Sequence, residues 1–439
     1  MSRWGAILWL ALLGRSPVTG PPLRYAHLVD RFYRQRNHQL FWFASGTFGA
    51  ESRRVLLAAI DSAAWQGLDS NRYDPAGLRA LEAPEAGVPT FERDARYTDA
   101  ALSLGFDLYC GSGIESMIGY DGVSPRFAAR DAGFMLARLI DGSTGGLSGY
   151  LDSLEPRFAG YRSLKHALGQ YIDSAAGSRS ESDVLTGRFG NFPHYVSRIR
   201  QLEVSLNFFR WMHHFGFDRF VIVNVAGAGL RYYAGDSLAL QMRIIAGQVS
   251  KRTPRFAAWI DGLVLYPYWN IPRRIAVNEW LPLFRRRPEA AALMEIEVLD
   301  SHGRRIDPSS IDWRSVRAAD FPYTLRQAPG CFNALGVLKF DVSDPFDVYM
   351  HDTNVKSAFA SSSRYLSHGC IRLEKAALLG DVLLDHGLDT ALLSACLRHQ
   401  EPTPIRLARP VPVFVLYLTV VPDGSGGLLW LKDIYHLWS

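Results

Sequence analysis

The residues of this chain best suited to chemistry are a cysteine and its close neighbours. The segment Ser367-His368-Gly369-Cys370-Ile371-Arg372 places one of only four cysteines in 439 residues directly after a glycine, and another histidine, His351, lies upstream. A nearby base can deprotonate a thiol to a nucleophilic thiolate, and backbone amides freed by glycine can stabilise an oxyanion. The pattern therefore predicts acyl chemistry at Cys370, with His351 as the general base.

The remaining cysteines predict neither a metal site nor a redox motif. Cys110, Cys331 and Cys396 are widely spaced, and no C-x-x-C pair occurs. The histidines show no H-E-x-x-H spacing, so we expect no metal and no cofactor. In an oxidising compartment four cysteines could form two disulfides. Because a catalytic thiol must stay free, at most one disulfide is compatible with the proposed role of Cys370.

Composition indicates a folded chain of two or three domains. The sequence is 48% hydrophobic and 21% charged, which is enough to form buried cores. The formal charge of +5 is mildly basic, which suits an anionic envelope or wall polymer. The basic residues are scattered, and no recognition motif is present, so nucleic acid is not expected as a partner.

The N-terminus has the pattern of an export signal. Arg3 supplies positive charge, and the apolar run Trp4 to Leu13 has the length of a signal h-region. The run is too short to span a bilayer as a free transmembrane helix. We therefore expect residues 1–20 to be a signal peptide or an N-terminal anchor and the protein to be periplasmic. The alternative is a buried N-terminal helix.

The chain changes character near Arg219. Residues 24–212 show helical periodicity, interrupted by the Ser-, Gly- and charge-rich stretch 174–190, which predicts a linker. Residues 219–436 contain short β-branched and aromatic runs separated by turns. There is no repeat and no alternation of strand and helix, so the predicted class is α+β, with a mixed sheet or sandwich in the second part.

At this point the residues resemble a known family, the L,D-transpeptidases with a YkuD-type catalytic domain. The family pattern is a histidine, a gap of about fifteen residues, then Ser/Thr-His-Gly-Cys. Here fifteen residues separate His351 from Ser367-His368-Gly369-Cys370. The Ile371-Arg372 ending, and the stretches 268–272, 329–340 and 410–413, are similar to the larger periplasmic subgroup that has an N-terminal helical scaffold.

The resemblance implies an architecture. It predicts a helical scaffold domain over 24–212 and a mixed β-sandwich catalytic domain over 219–436. A cap subdomain over about 270–326 would cover the active site. Many members of the subgroup insert a small peptidoglycan-binding module before the helix that contains Ile199. Only the short stretch 174–190 occupies that place here, so anchoring through such a module is not expected.

The resemblance also implies roles for individual residues. Cys370 would be the nucleophile and His351 the base, with the ring oriented by the backbone carbonyl of Asp352. His368 and Gly369 would shape the oxyanion pocket, with the Gly369 or Cys370 N–H as donor. Alternatively, His368 only sets the turn.

Four further residues are assigned to substrate binding. Arg372 could bind a substrate carboxylate as a bidentate fork or could brace the loop. Tyr268 and Trp269 would form a substrate wall at the base of the cap, although aromatic residues there could serve packing alone. Asn333 lies in the segment that leads into the catalytic strands.

The function that follows is peptidoglycan L,D-transpeptidation in cell-wall biogenesis. Cys370 would attack the carbonyl between the diamino acid and the terminal D-alanine of a tetrapeptide stem, and D-alanine would leave. The amine of a second stem would resolve the thioester into a 3→3 cross-link. The alternatives are a wall peptidase or amidase that uses water, and an inactive wall-binding scaffold. The sequence does not predict the acceptor or the oligomeric state.

Overall fold

A computed structural model describes residues 22–83, 88, 90–117, 119–120, 133–139, 146–176, 193–235, 237–397 and 400–438. The predicted signal at residues 1–20 and residues 177–190 of the predicted linker lie outside the described residues. Residues 174–176, assigned to that linker from sequence, instead form the end of a helix. Within the described part of the chain, no helix is both long and apolar enough to cross a bilayer.

The first part of the chain is helical. Its helices are α1 (Ala26–Gln35), α2 (Thr47–Asp61), α3 (Pro75–Ala80), α4 (Thr90–Cys110), α5 (133–139), α6 (Leu147–Leu154), α7 (Ala159–Ala176) and α8 (Pro193–His214). The apolar residues of α1 to α6 form one core, and those of α7 and α8 form a second, smaller core. The helical prediction for this region is confirmed.

A buried carboxylate organises the scaffold core. Asp94 of α4 is fully buried and accepts hydrogen bonds from the backbone N–H groups of Phe41, Trp42 and Phe43 at 2.7–2.9 Å. It also accepts a hydrogen bond from the Tyr33 hydroxyl at 2.5 Å. A buried charge needs such partners because it has lost its water. Asp94 therefore fixes the loop after α1 against α4.

The second part of the chain is built from strands. They are β2 (Arg219–Asn224), β3 (Gly229–Ala234), β4 (Ser237–Gly247), β5 (Phe256–Leu265), β6 (Trp269–Asn270), β7 (Ile296–Leu299), β8 (Arg305–Ile306), β9 (Thr324–Gln327), β10 (Leu338–Ser343), β11 (Met350–His351), β12 (Tyr365–Ser367), β13 (Ile371–Leu373), β14 (Thr403–Leu416), β15 (Val420–Pro422) and β16 (Leu428–Trp430). An additional short strand from the scaffold, β1 (Gly119–Tyr120), pairs with β5.

The main sheet closes on itself. Its order is β5-β10-β11-β13-β4-β3-β2-β14, and β14 then pairs with β5 again. The pairs β11–β13 and β2–β14 are parallel, whereas most others are antiparallel, so the predicted mixed sheet is confirmed. The two layers expected of a sandwich are continuous with each other because β14 pairs with both β2 and β5.

The interior of this closed sheet is the main catalytic-domain core. Strands expose and bury alternate residues, because successive side chains point to opposite faces. Val221 and Val223 of β2 point inward with Ile244 of β4, Leu263 of β5 and Ile371 of β13. Helix α12 (Ala376–Leu383) also packs on this core. Outward-pointing side chains of β5 and β14, such as Ala257 and Phe414, belong to a different core.

The segment between β6 and β9 forms a separate subdomain, the cap. It contains the antiparallel sheet β6-β9-β7-β8 and the short helices α9 (Arg273–Ile275), α10 (Leu281–Arg286) and α11 (Ala290–Leu293). A π-helical turn, Ala276–Trp280, joins α9 to α10. The cap has its own core, in which Trp280, Phe284 and Trp313 pack together. It leaves and rejoins the barrel at one place, since Trp269 pairs with Gln327.

Helix α8 joins the scaffold to the barrel. Trp211 packs edge-on against Phe414 of β14 with ring centroids 5.2 Å apart, and Ser205 donates a hydrogen bond to the Val420 carbonyl at 2.7 Å. On its other side α8 contacts the loop after α2, where the Asn207 amide donates to the Gly67 carbonyl. The two parts of the molecule therefore share a packed helix.

Candidate active site

Two short parallel strands bring the candidate base and nucleophile together. Met350 of β11 pairs with Ile371 of β13, and His351 pairs with Arg372. Paired residues point to the same face of a sheet, and so do residues two apart on one strand. Cys370, directly before β13 and two residues from Arg372, is therefore a diagonal neighbour of His351 on one face.

The ring of His351 is held in one orientation. Its Nδ1 lies 2.5 Å from the carbonyl oxygen of Asp352, so Nδ1 is the protonated nitrogen and Nε2 is left as an acceptor. The side chain is buried, and burial lowers the pKa of His351 to about 3, with a further contribution from the Arg372 guanidinium. At neutral pH the imidazole is therefore uncharged and able to accept a proton.

Asp352 is in turn fixed by three contacts. Its N–H donates to the Leu338 carbonyl at 2.8 Å, and its carboxylate accepts from the Val337 N–H and from the Lys356 ammonium. Gly336 makes this packing possible. Its φ is +63°, and a Cβ there would lie 2.3 Å from the Asp352 carboxylate. The Asp352 carbonyl that orients His351 thus depends on a glycine in the preceding turn.

Cys370 is a free, half-buried thiol. Burial raises the pKa of the Cys370 thiol, while a hydrogen bond from the backbone of Tyr349 acts in the opposite direction. The thiol is therefore protonated in the resting protein at neutral pH. Together with the neutral imidazole of His351, this makes the resting pair uncharged, without a preformed thiolate–imidazolium ion pair.

The hydrogen bonds of the backbone just before Cys370 distinguish between the two oxyanion donors proposed from sequence, the N–H groups of Gly369 and Cys370. The N–H of Gly369 already donates to Ser367 Oγ at 3.1 Å, and that hydroxyl donates to the Cys370 carbonyl at 2.6 Å. The Gly369 carbonyl accepts from Thr253 Oγ1 at 2.7 Å. Among the described residues no acceptor is recorded for the Cys370 N–H, so this group is the better candidate donor.

His368 contacts the cap. Its Nε2 lies 2.6 Å from Glu279 Oε1, and Lys251 Nζ lies 3.4 Å from the same oxygen. Glu279 belongs to the π-helical turn, a form of helix that is frequent at functional sites. The side chain of His368 therefore joins the catalytic loop to the cap instead of facing an oxyanion, and sequence analysis did not identify Glu279.

The catalytic face has two further polar side chains, Arg372, which was selected from the sequence, and Lys339, which was not. Lys339 of β10 pairs with His351, and its ammonium lies 4.4 Å from the centroid of the Tyr349 ring. Arg372, on the same face, is half-buried, and its Nε has no hydrogen-bond partner. Two cations therefore flank Cys370 and His351, and both can attract the carboxylates of a substrate.

Three residues assigned to substrate binding have mainly structural contacts. Asn333 is buried, and its amide nitrogen lies within hydrogen-bond distance of the Pro267, Gln327 and Ala328 carbonyls, which share its two N–H groups, so it is not available to a substrate. Tyr268 stacks under the Arg326 guanidinium at 4.0 Å, and Trp269 packs against Trp280. The assignment of Asn333 is corrected to a brace of the cap base, since its amide nitrogen donates to buried carbonyls and its amide oxygen accepts from the Leu335 N–H.

A disulfide supports the same region. Cys331 and Cys396 are bonded, with Cα atoms 5.3 Å apart. Cys331 lies in the turn that precedes Gly336, and the Tyr266 hydroxyl, at the start of the cap connection, also contacts the Cys396 segment through the Leu397 N–H. Cys370 remains free, as its proposed role requires. In the described part of the chain, no cluster of three or more His, Cys, Asp or Glu residues could hold a metal ion.

Comparison with known proteins places this geometry in a family. Residues 27–168 match the model of a scaffold domain, and residues 218–383 match the model of the L,D-transpeptidase catalytic domain. A curated Haemophilus influenzae protein named "Putative L,D-transpeptidase" is 34% identical over 220 residues, which cover 50% of this chain and 44% of that protein. The chain thus spans less than half the length of that relative.

Solved structures are matched more distantly. An L,D-transpeptidase from Mycobacterium smegmatis is 14% identical with a TM-score of 0.21, over 45% of this chain and 58% of that one. An L,D-transpeptidase from Enterococcus faecium is 12% identical with a TM-score of 0.20, over 49% and 62%. Both family models match in the order expected, with the described site inside the second match. The chain therefore belongs to the L,D-transpeptidases that have a scaffold domain ahead of the YkuD-type catalytic domain.

Proposed function

We propose that this protein is a peptidoglycan L,D-transpeptidase that forms 3→3 cross-links through a thioester on Cys370. The observation that supports this most directly is the pairing of β11 with β13. It places a free thiol beside an uncharged, oriented imidazole on the outer face of the barrel. The family match supports transpeptidation as the reaction class.

The first half-reaction follows from the protonation states. Because both groups are neutral at rest, His351 Nε2 removes the thiol proton as sulfur attacks the scissile carbonyl of the tetrapeptide. The imidazolium formed is stabilised by its hydrogen bond to the Asp352 carbonyl. It then donates the proton to the leaving amine, so that D-alanine departs as the tetrahedral intermediate collapses to the thioester.

The oxyanion of each tetrahedral intermediate is assigned to the N–H of Cys370. A donor of this kind typically lowers the barrier by about 2.7–4 kcal/mol. Arg372 and Lys339 add positive charge on the same face, where negative charge develops. The backbone is pre-organised for this task by the Ser367, Gly369 and Thr253 hydrogen bonds, so little reorganisation is needed during the reaction.

The second half-reaction requires an amine to reach the thioester before water does. His351, neutral again, takes a proton from the attacking amine of a second stem, and the thiol is regenerated by protonation. The cap supports the preference for the amine because it is docked over the catalytic loop through Glu279 and His368. Excluding water from a reactive acyl intermediate is a recognised function of such closures.

Product analysis tests the proposal. Purified protein is incubated with tetrapeptide-containing muropeptides, and dimers are identified by mass spectrometry. Wild-type protein should yield 3→3 dimers, and Cys370→Ala should yield none. Cys110→Ala, which removes the other cysteine that is not in the disulfide, should keep the activity. Absence of dimers with wild type, or equal yields with Cys370→Ala, would refute the function. Tripeptide monomers alone would indicate a hydrolase instead.

A further inference from the structure

A groove on the barrel lies on the same face as the catalytic residues. Along β13 and its ends, every second residue, namely Cys370, Arg372 and Glu374, points to one side of the sheet. Arg372 pairs with Ile245 of β4. Two residues before Ile245, the Arg243 N–H donates a hydrogen bond to the Glu374 carboxylate. On β4, Gln241 lies two residues from Arg243 and so points to the same face. Gln241 pairs with Arg231 of β3, which extends this face to β3. The outer face is thus continuous from the thiol toward the far edge of the sheet.

The groove is formed where three parts of the molecule meet. It has a volume of about 510 Å³ and is lined by β2, β3 and β4, by Phe209 of α8, and by Leu429 and Leu431 of the C-terminal segment. Ligand sites occur preferentially at such domain boundaries. The scaffold therefore contributes to a cavity that is separate from the Cys370 loop but lies on the same barrel face.

The polar wall of the groove is strongly basic. Arg231, Arg243, Arg364 and Lys375 line it together with a single carboxylate, Glu374. Glu374 is already paired with Arg243. Within the described residues, no ion pair is recorded for Arg231, Arg364 or Lys375. Three cations without a matching acid produce a positive potential that favours an anionic occupant.

Unsatisfied donors on this face point to the same conclusion. The Nε atoms of Arg364 and Arg372 are buried and have no hydrogen-bond partner in the structure. Arg364 precedes β12, whose Tyr365 pairs with Ala246 of the inner core, so Arg364 faces outward next to β4. Buried guanidinium donors normally have acceptors, and a carboxylate would supply them.

The spacing suggests which molecule the groove holds. Glu374 is four residues from Cys370 along an extended strand, a distance of roughly 13 Å at about 3.3 Å per residue. Three residues of the stem lie between the scissile carbonyl and the polymer, and they span at most about 11 Å when extended. A donor stem with its scissile carbonyl at Cys370 would therefore end close to the groove, and the wall polymer to which it is attached would continue into it.

We propose that this basic groove is a second binding site, outside the catalytic centre, for a carboxylate-bearing strand of the wall polymer that continues from the donor stem. This proposal rests on the proposed transpeptidase function. The groove would hold the polymer by charge-assisted hydrogen bonds from Arg231 and Arg364, while the apolar wall from Phe209 and Leu431 packs against its uncharged parts. The continuity of the face with Cys370 favours this polymer over an anionic lipid.

Binding without turnover tests the groove. The full chain with Cys370→Ala is sedimented with purified peptidoglycan sacculi, alone or combined with Arg231→Gln/Arg364→Gln. The matched control is Arg406→Gln/Arg409→Gln, which removes the same charge from exposed positions of β14 that do not line the groove. We expect the groove pair to weaken binding about tenfold or more and the control pair less than about twofold. Thermal unfolding midpoints check that each variant is folded. If the midpoint of the groove pair falls, the single substitution Arg231→Glu is used in its place.

Three results would overturn the proposal. One is equal weakening by both pairs, which would indicate net charge alone, and another is no weakening by the groove pair. The third is that the groove pair abolishes binding of the protein to vesicles of phosphatidylglycerol and phosphatidylcholine but leaves its binding to sacculi unchanged, which would indicate a lipid site. Amidation of the carboxylates of the sacculi should weaken binding of the Cys370→Ala protein. The weakening should be at least as large as that caused by the groove pair on native sacculi. Failure of the groove would leave wild-type dimer formation intact, whereas failure of the transpeptidase function would abolish the dimers themselves.

Discussion

At the scale of single residues, the sequence predicted the reactive groups better than their partners. Spacing and residue type were sufficient to select Cys370 and His351, which the structure places on one face of two paired strands. Glu279 could not be found in the same way, because 89 residues separate it from His368. Asn333 was misassigned since nothing in the sequence indicates whether a polar side chain faces a substrate or buried carbonyls.

The burial of His351 predicts a specific dependence of stability on pH. Its pKa is lowered to about 3 in the folded protein, whereas an unfolded histidine titrates near ~6.5. Between these values the unfolded state binds more protons, so the contribution of His351 to stability is complete above about pH 6.5 and is lost as pH falls toward 3. His351→Gln should therefore show a smaller fall in unfolding midpoint between pH 7 and pH 4 than wild type. Parallel declines in differential scanning calorimetry would contradict this prediction.

Gly336 is predicted to control catalysis without touching a substrate. Gly336→Ala would place a methyl group against the Asp352 carboxylate and disturb the carbonyl that orients His351. Small misplacements of a catalytic group can cost about 100-fold in rate, so kcat should fall by about that factor with KM little changed. Gly303→Ala is the control, because its φ of +76° is equally unfavourable for alanine while no atom lies within 4 Å. Equal kinetic effects of the two substitutions would exclude the proposed contact.

At the scale of secondary-structure elements, strand register decides what the active site contains. The sequence indicated short strands around His351 and Cys370, but it could not specify that Lys339 would pair with His351. Register depends on long-range packing of the inward-facing residues, and a shift by one residue would turn every side chain to the other face. Arg372 was selected from the sequence motif, whereas Lys339 was recognisable as its partner on this face only after folding.

The link between the cap and the catalytic loop is predicted to affect how the acyl-enzyme is partitioned. Glu279→Gln removes the charge that holds His368 and Lys251. Exposed ion pairs of this type are worth about 0.2–1 kcal/mol, so the ratio of hydrolysed to cross-linked product should rise about two- to fivefold. Glu289→Gln, at an exposed cap position whose carboxylate has no hydrogen bond or ion pair recorded within the described residues, should leave the ratio unchanged. Quantified muropeptide products provide the measurement, and an unaltered ratio for Glu279→Gln would count against cap docking.

At the scale of the whole molecule, the order of helical and β-rich regions was predictable, whereas the closure of the barrel was not. Composition and periodicity change near Arg219, and this is where the first barrel strand begins. Closure depends on β14 pairing with two strands at once. Those pairings join residues far apart in the chain, and local patterns contain no information about them.

The scaffold should depend strongly on one buried charge. Asp94→Ala would leave three backbone N–H groups without their acceptor in a sealed core, while the Tyr33 hydroxyl keeps only its contact with Thr98. Each buried donor left unsatisfied costs about 1–3 kcal/mol, so we expect a loss of about 3 kcal/mol or more in the free energy of unfolding. Asp152→Ala, at an exposed position of α6, should change stability by less than about 0.5 kcal/mol. Urea denaturation measures both, and a loss below about 1 kcal/mol for Asp94→Ala would show that the loop is held by other contacts.

The adjacent ends of the cap have a consequence for how proteins of this architecture can diversify. Because Trp269 and Gln327 are paired neighbours, everything between them is inserted at a single point of the barrel. An insertion with touching ends can be shortened, lengthened or exchanged without moving the strands that hold Cys370 and His351. For the transpeptidase proposed above, selection could therefore alter which acceptor reaches the acyl-enzyme while the chemistry of the thiol is inherited unchanged.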